Sequence, residues 1–168
     1  MPLVQLNDLP GSARVWVFGA NKTLEGPAAE ALLVEVDRFL SQWKAHGSPL
    51  TVGRCWKYGR FLTVAVDQST AGASGCSIDG LFRSLKALEP KLGASLVTSG
   101  LVFYRDENGT IQAVDRERFG ALGAEGKIQR STIVFDPTVT SLAEWREHFE
   151  LDASQSWHAA LLPEKQPA

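Results

Sequence analysis

The spacing of apolar and polar positions divides the first hundred residues into alternating strands and helices. Arg14–Phe18 (Arg-Val-Trp-Val-Phe) carries apolar side chains at successive positions, which predicts a strand covered on both faces and central in its sheet. Pro27 suits the first turn of a helix. Ala28, Leu32, Val36, Phe39, Leu40 and Trp43 then recur on one helical face. This predicts a helix running to about His46, closed by Gly47, with Glu35 and Asp37 turned to solvent. Thr51–Tyr58 and Phe61–Asp67 read as a hairpin, with Gly59-Arg60 as a two-residue type II′ turn. Ile78, Leu81, Phe82, Leu85, Leu88 and Leu92 mark a second amphipathic helix over Ile78–Leu92, its last turn loosened by Pro90 and ended by Gly93. Leu101–Arg105 is a further strand. The order βαββαβ predicts an α+β, ferredoxin-like fold, an antiparallel four-stranded sheet with two helices on one face.

The expected organisation is a ferredoxin-like domain over 13–105 and a C-terminal α/β extension over 106–160 packed on it, with irregular termini at 1–12 and 161–168. In the extension, Asp106-Glu107-Asn108-Gly109 turns the chain into a strand at Thr110–Val114 on the sheet edge. Asp115 caps a short helix with Phe119 and Leu122 inward, ending near Gly126. Thr132–Phe135 is a short strand. Ser141-x-x-Glu144 is a capping box that opens a helix over Leu142–Phe149, with Trp145 on its apolar side. The tail from Ser154 holds Trp157-His158 before turning polar and proline-rich.

Composition narrows the function classes. The chain has 168 residues, 44% hydrophobic and 21% charged, in the range of a globular protein with a real core. Residues 1–100 carry 10 Lys/Arg against 8 Asp/Glu, and residues 101–168 carry 7 against 11. Neither half has the basic bias of a dedicated nucleic-acid binder, and no nucleic-acid partner is expected. Arg54, Lys57 and Arg60 beside Trp56 and Tyr58 are the nearest approach to such a surface, and a solvated hairpin explains them. Met1–Ser12 lacks a charged segment followed by an apolar one, so no secretory signal is expected. No apolar run approaches the roughly 20 residues needed to cross a bilayer. Two cysteines, Cys55 and Cys76, make no disulfide framework and no metal spacing. The expectation is a cytoplasmic protein with reduced thiols, no metal and no cofactor.

The candidate chemistry centres on Ala71–Asp79, Ala-Gly-Ala-Ser-Gly-Cys-Ser-Ile-Asp, which joins a strand to a helix. With the helix read from Ile78, Cys76 stands just outside it and Ser77 is its N-cap. Unpartnered N–H groups at a helix start favour anions and thiolates. Gly72, Ser74, Gly75, Ser77 and Asp79 are therefore the candidate ligand-binding set for a small anion. Cys76 is the candidate nucleophile, with His46 or His158 as its base. The alternatives are a small cysteine packed under a tight turn, a strand-to-helix connection that needs small residues, and an Asp79 that serves only the helix dipole. Trp157 is expected to anchor the tail in an apolar groove and thereby place His158.

Several strings carry a resemblance. Trp43-x-x-His46-Gly47, Val66-Asp67, Gly72–Asp79, Thr132–Asp136 and Ser156-Trp157-His158-Ala159 resemble a family of small bacterial proteins commonly labelled "ABC transporter ATPase". A nucleotide site of that kind needs Gly-x-x-x-x-Gly-Lys-Ser/Thr to wrap phosphates, and no such string occurs. The resemblance thus implies a family without a P-loop chemistry. Val114–Phe135, with its Phe-x-x-Leu, Gly-x-Ile and Thr-x-Val-Phe rhythm, resembles small GYF-like peptide-binding modules. Two function classes follow. The first is a small-molecule or thiol-dependent site at Gly72–Asp79. The second is a non-catalytic interaction module for a protein partner or a second copy of the chain.

Overall fold

The computed structural model describes residues 4–45, 48–49, 51–68, 75–97 and 100–164, with 44–45, 48–49 and 75–77 described by backbone alone. Two compact units divide the chain: Met1–Thr98 with Thr138–Trp145, and Ser99–Pro137 with Arg146–Ala168.

The first unit contains β1 (Arg14–Gly19), α1 (Gly26–Gln42), β2 (Lys44–Ala45), β3 (Ser48–Pro49), β4 (Thr51–Lys57), β5 (Phe61–Asp67) and α2 (Gly75–Leu92). Its main sheet is antiparallel in the order β1-β5-β4, and β2 pairs with β3 separately. The central strand is β5, whose first six residues are all buried, and β1 is the outer strand, its far side joined to the chain at Ser141 by an isolated antiparallel bridge from Arg14. The expectation of a central Arg14–Phe18 is corrected here. Its two apolar faces reflect cover on both sides of the sheet, which an outer strand also receives. On one face Phe18, Leu62, Val64 and Val66 meet α1 and α2 through Leu32, Val36, Leu40, Leu81 and Leu85. On the other, Val15 and Ala65 meet Leu6, Leu9, Val139 and Leu142.

That second cover explains Gly53. A Cβ there would stand 3.0 Å from the Val4 carbonyl oxygen and 3.2 Å from the Leu6 Cα. Residues 4–9 lie against β4. They form a 3-10 turn over Leu6–Asp8 and tie to the strand through Val4 N–H and the Val52 carbonyl at 2.7 Å. Two helix boundaries also move. α1 ends at Gln42 because Trp43 takes an extended conformation, with its ring 5.5 Å from Phe39 and 6.1 Å from Trp16. His46 and Gly47 lie outside the described residues. The β4–β5 loop is Tyr58-Gly59-Arg60 rather than two residues. Tyr58 and Gly59 both have positive φ, and Arg60 N–H closes the turn on the Lys57 carbonyl at 3.1 Å. Gly93 ends α2 at φ +65°, as expected.

The second unit contains β6 (Leu101–Arg105), β7 (Ile111–Asp115), α3 (Arg116–Ala124), β8 (Ile133–Phe135) and β9 (Glu150–Asp152). Helix α4 (Leu142–His148) runs across the division. The sheet is antiparallel in the order β7-β6-β8-β9. Strand β6, expected as the fourth strand of a ferredoxin-like sheet, pairs with β7 and β8 and lies in a different sheet from β1. The α+β class holds, but the single four-stranded sheet does not. The short Asp106–Thr110 turn lets β6 pair with β7 at once, and that pairing takes one edge of β6 locally. Asp115 caps α3 by accepting the Arg118 N–H at 2.7 Å, and Phe119 and Leu122 face the core with Val102, Tyr104, Ile128 and Val134.

Candidate functional site

Among the sequence-predicted residues, His46, Gly72 and Ser74 lie outside the described residues. Gly75, Cys76 and Ser77 are described by backbone alone, and the helix starts at Gly75. Cys76 and Ser77 are therefore residues of the first turn of α2, not the position before it, and Ser77 is not the N-cap. Asp79 is exposed and lies just beyond that first turn. The other thiol, Cys55, is half-buried in β4. Burial pushes its pKa up, against the pull of Lys57 and Arg54.

His158 belongs to the second unit and is wholly enclosed. It follows Trp157 in a 3-10 turn, Trp157–Leu161, with the two rings stacked at 3.9 Å. Phe119 of α3 stands 5.8 Å from the imidazole, and Ser156 Oγ lies 2.7 Å from Nδ1. Burial, opposed by the Asp136 carboxylate and assisted by the Arg116 guanidinium, pushes its pKa down to about 4. The ring is thus neutral at ordinary pH. Ser156 and His158 have the spacing of a nucleophile and its base. Their arrangement is nonetheless that of a turn residue braced by its own preceding serine: Nδ1 is taken, and Nε2 is enclosed without a hydrogen-bond partner among the described residues. A ring so enclosed offers no accessible base.

An open cleft lies elsewhere in the second unit. Strands β6 and β8 pair only at Phe103–Phe135 and Tyr104–Val134. The β6–β8 register covers these two residue pairs, and β8 continues with β9 at Ile133–Asp152. Where the two strands part, a cleft of about 670 Å³ opens between the β6–β7 turn and the segment that links α3 to β8. Tyr104, Leu122 and Ile133 give it apolar surface. Arg105, Asp106 and Glu107 line one side, and Glu125, Lys127 and Gln129 the other.

The walls are built by local hydrogen bonding. The Asp106 carboxylate accepts the Asn108 and Thr110 N–H groups and the Gln112 amide, at 2.9, 3.0 and 2.9 Å. The Gln112 bond, the largest influence, together with the two backbone bonds outweighs desolvation and holds its pKa below the usual carboxylate range. Gly109 supplies the positive φ the turn requires, +78°. Its carbonyl accepts Arg105 Nη1 at 3.0 Å, and the same guanidinium lies 5.3 Å from the Phe135 ring centroid. Across the cleft, the Gln129 N–H bonds Thr132 Oγ1 at 2.8 Å, and Lys127 pairs with Glu125 at 3.5 Å. Burial, with Asp106 adding and Arg118 opposing, raises the Tyr104 pKa, so its hydroxyl stays a neutral donor. Nothing in the periodicity of 104–133 signals a cleft. The Asp-Glu-Asn-Gly turn and the gap between α3 and β8 read only as connections.

Arg54 and Arg60 of the β4–β5 hairpin are committed elsewhere. Arg54 forms a two-pronged ion pair with Asp37 of α1, at 2.8 and 2.9 Å. Arg60 is buried, with Nε on the Ala20 carbonyl at 3.1 Å. Among the described residues, no group of three or more His, Cys, Asp or Glu could hold a metal ion, and no helix is long and apolar enough to cross a membrane. No protein-family model, curated protein or solved structure matches the chain.

Proposed function

We propose that the protein is a non-catalytic interaction module whose second unit takes a short extended peptide segment of another protein in the cleft between the β6–β7 turn and the α3–β8 segment. The parting of β6 and β8 after two paired residues carries this reading, because it leaves a wide opening at the end of a sheet. Apolar residues at the base with polar groups on both rims are what a peptide site needs: burial for one or two side chains and hydrogen-bond partners for the backbone. The resemblance of Val114–Phe135 to GYF-like peptide-binding modules points the same way. The test is selection of short random peptides on the whole protein, followed by affinity measurement. Ser131, exposed on the rim, is the place to block the site. Ser131→Trp should weaken the selected peptides about tenfold or more at an unchanged melting temperature. Selection that yields no binder, or binders indifferent to this variant, would refute the proposal.

A second reading, a small-anion or thiol-dependent site at Gly72–Asp79, gains from the start of α2 at Gly75. That start puts the N–H groups of Cys76 and Ser77 in the first turn, where helical partners are lacking. With His158 enclosed, His46 is the remaining candidate base. Here Cys76 should be alkylated by iodoacetamide well before Cys55, with phosphate slowing it. Labelling of Cys76 that needs denaturant would end this reading.

A further inference from the structure

The cleft in the second unit has a charge asymmetry that bears on what it binds. Its lining holds three carboxylates, Asp106, Glu107 and Glu125, and two cations, Arg105 and Lys127. Both cations are engaged within the cleft walls. Arg105 is tied to the Gly109 carbonyl and laid over Phe135, and Lys127 faces Glu125. Asp106 keeps its charge because three donors converge on it, and Glu107 stands exposed in the same turn. The surrounding unit reinforces this sign: its residues, 99–137 and 146–168, carry 7 Lys/Arg against 10 Asp/Glu. Field lines from such a surface converge in a concave opening and raise the local concentration of cations there.

We infer that the segment bound in this cleft is basic, an extended peptide whose lysine or arginine side chain is received on the Asp106–Glu107 rim while a neighbouring apolar side chain reaches Tyr104, Leu122 and Ile133. This inference rests on the peptide reading above and specifies the chemistry of the partner. An acidic segment would meet Asp106 and Glu107 with no unengaged cation among the lining residues to balance it. A purely apolar segment would leave the Glu107 carboxylate without use.

The experiment compares peptides selected on the whole protein. Lysine and arginine should be enriched over aspartate and glutamate in the selected pool. Glu107→Lys should weaken a selected peptide about tenfold, and Lys127→Gln, which releases Glu125, should tighten it severalfold. Raising NaCl from about 0.05 to about 0.5 M should weaken binding by a comparable factor, since the contact is exposed to screening. Both substitutions are on exposed side chains, so a melting temperature within a few degrees of the parent's is the expected control. Peptides that Ser131→Trp blocks, but that show no basic bias and ignore both charge variants, would overturn this inference and leave the peptide site standing. Peptides that Ser131→Trp does not affect would overturn the site and this inference together.

Discussion

His158 shows at the scale of one residue how a position can be conspicuous in a sequence and still serve structure. Its ring is enclosed by Trp157 and Phe119 and held neutral, so folding favours the unprotonated form. The folded pKa, about 4, lies below the ordinary 6.5, so the unfolded chain takes up the proton first as pH falls. Stability should accordingly decline from about pH 6.5 downward and stop declining from this source near pH 4, with a total loss of roughly 3 kcal/mol. Urea midpoints at neutral pH and at intermediate acidities measure it. His158→Asn should flatten the slope in the upper half of that window, above the range where carboxylates titrate. A wild-type midpoint constant between pH 6.5 and 5 would contradict the enclosed neutral ring. That Trp157 would fix His158 was legible from an isolated aromatic in a polar tail. That the fixed place would be a core, rather than a site, was not, because a sequence shows which side chain is anchored but not what surrounds it.

At the scale of elements, Gly53 makes the sharpest statement. It sits within a strand, where a glycine usually marks a bulge or a close backbone approach. Here the approaching backbone is that of Val4–Leu6. Gly53→Ala should push the Val4–Leu6 backbone away from β4, loosening that contact, and cost about 1–3 kcal/mol. Faster amide exchange confined at first to residues 4–9 would show the displaced segment, and a neutral substitution would contradict the packing. The individual helices and strands were largely readable. α3 and its Asp115 cap follow from local rules, as does the buried stripe Leu32, Val36 and Leu40 of α1, since capping and helical period act within a few residues. Boundaries moved where a side chain far along the chain competes. Trp43 leaves helical geometry as its ring packs between Phe39 and Trp16. α2 extends back to Gly75 because small residues do not prevent helix and a cap motif read as Ser77 marks only one possible start.

At the scale of the whole molecule, the sheet assignment was the part the chain did not disclose. Burial pattern tells which face of Leu101–Arg105 is covered, but not which strand lies beside it. β6 satisfies its pattern equally well between β7 and β8 as it would beside β1. The cleft was illegible for the same reason, since it arises from a pairing that stops, and no residue type encodes a missing pair. What the fold supplies is a small sheet with a braced turn on one side, a looped connection on the other and an opening between them. The most direct measurement of the proposed function is amide chemical-shift mapping on the whole protein during titration with a peptide selected against it. The peptide site predicts saturable shifts concentrated in Arg105–Gly109 and Lys127–Ile133, absent in Ser131→Trp. Shifts gathered instead around Gly75–Asp79, or saturable binding that leaves both cleft walls unmoved, would contradict it.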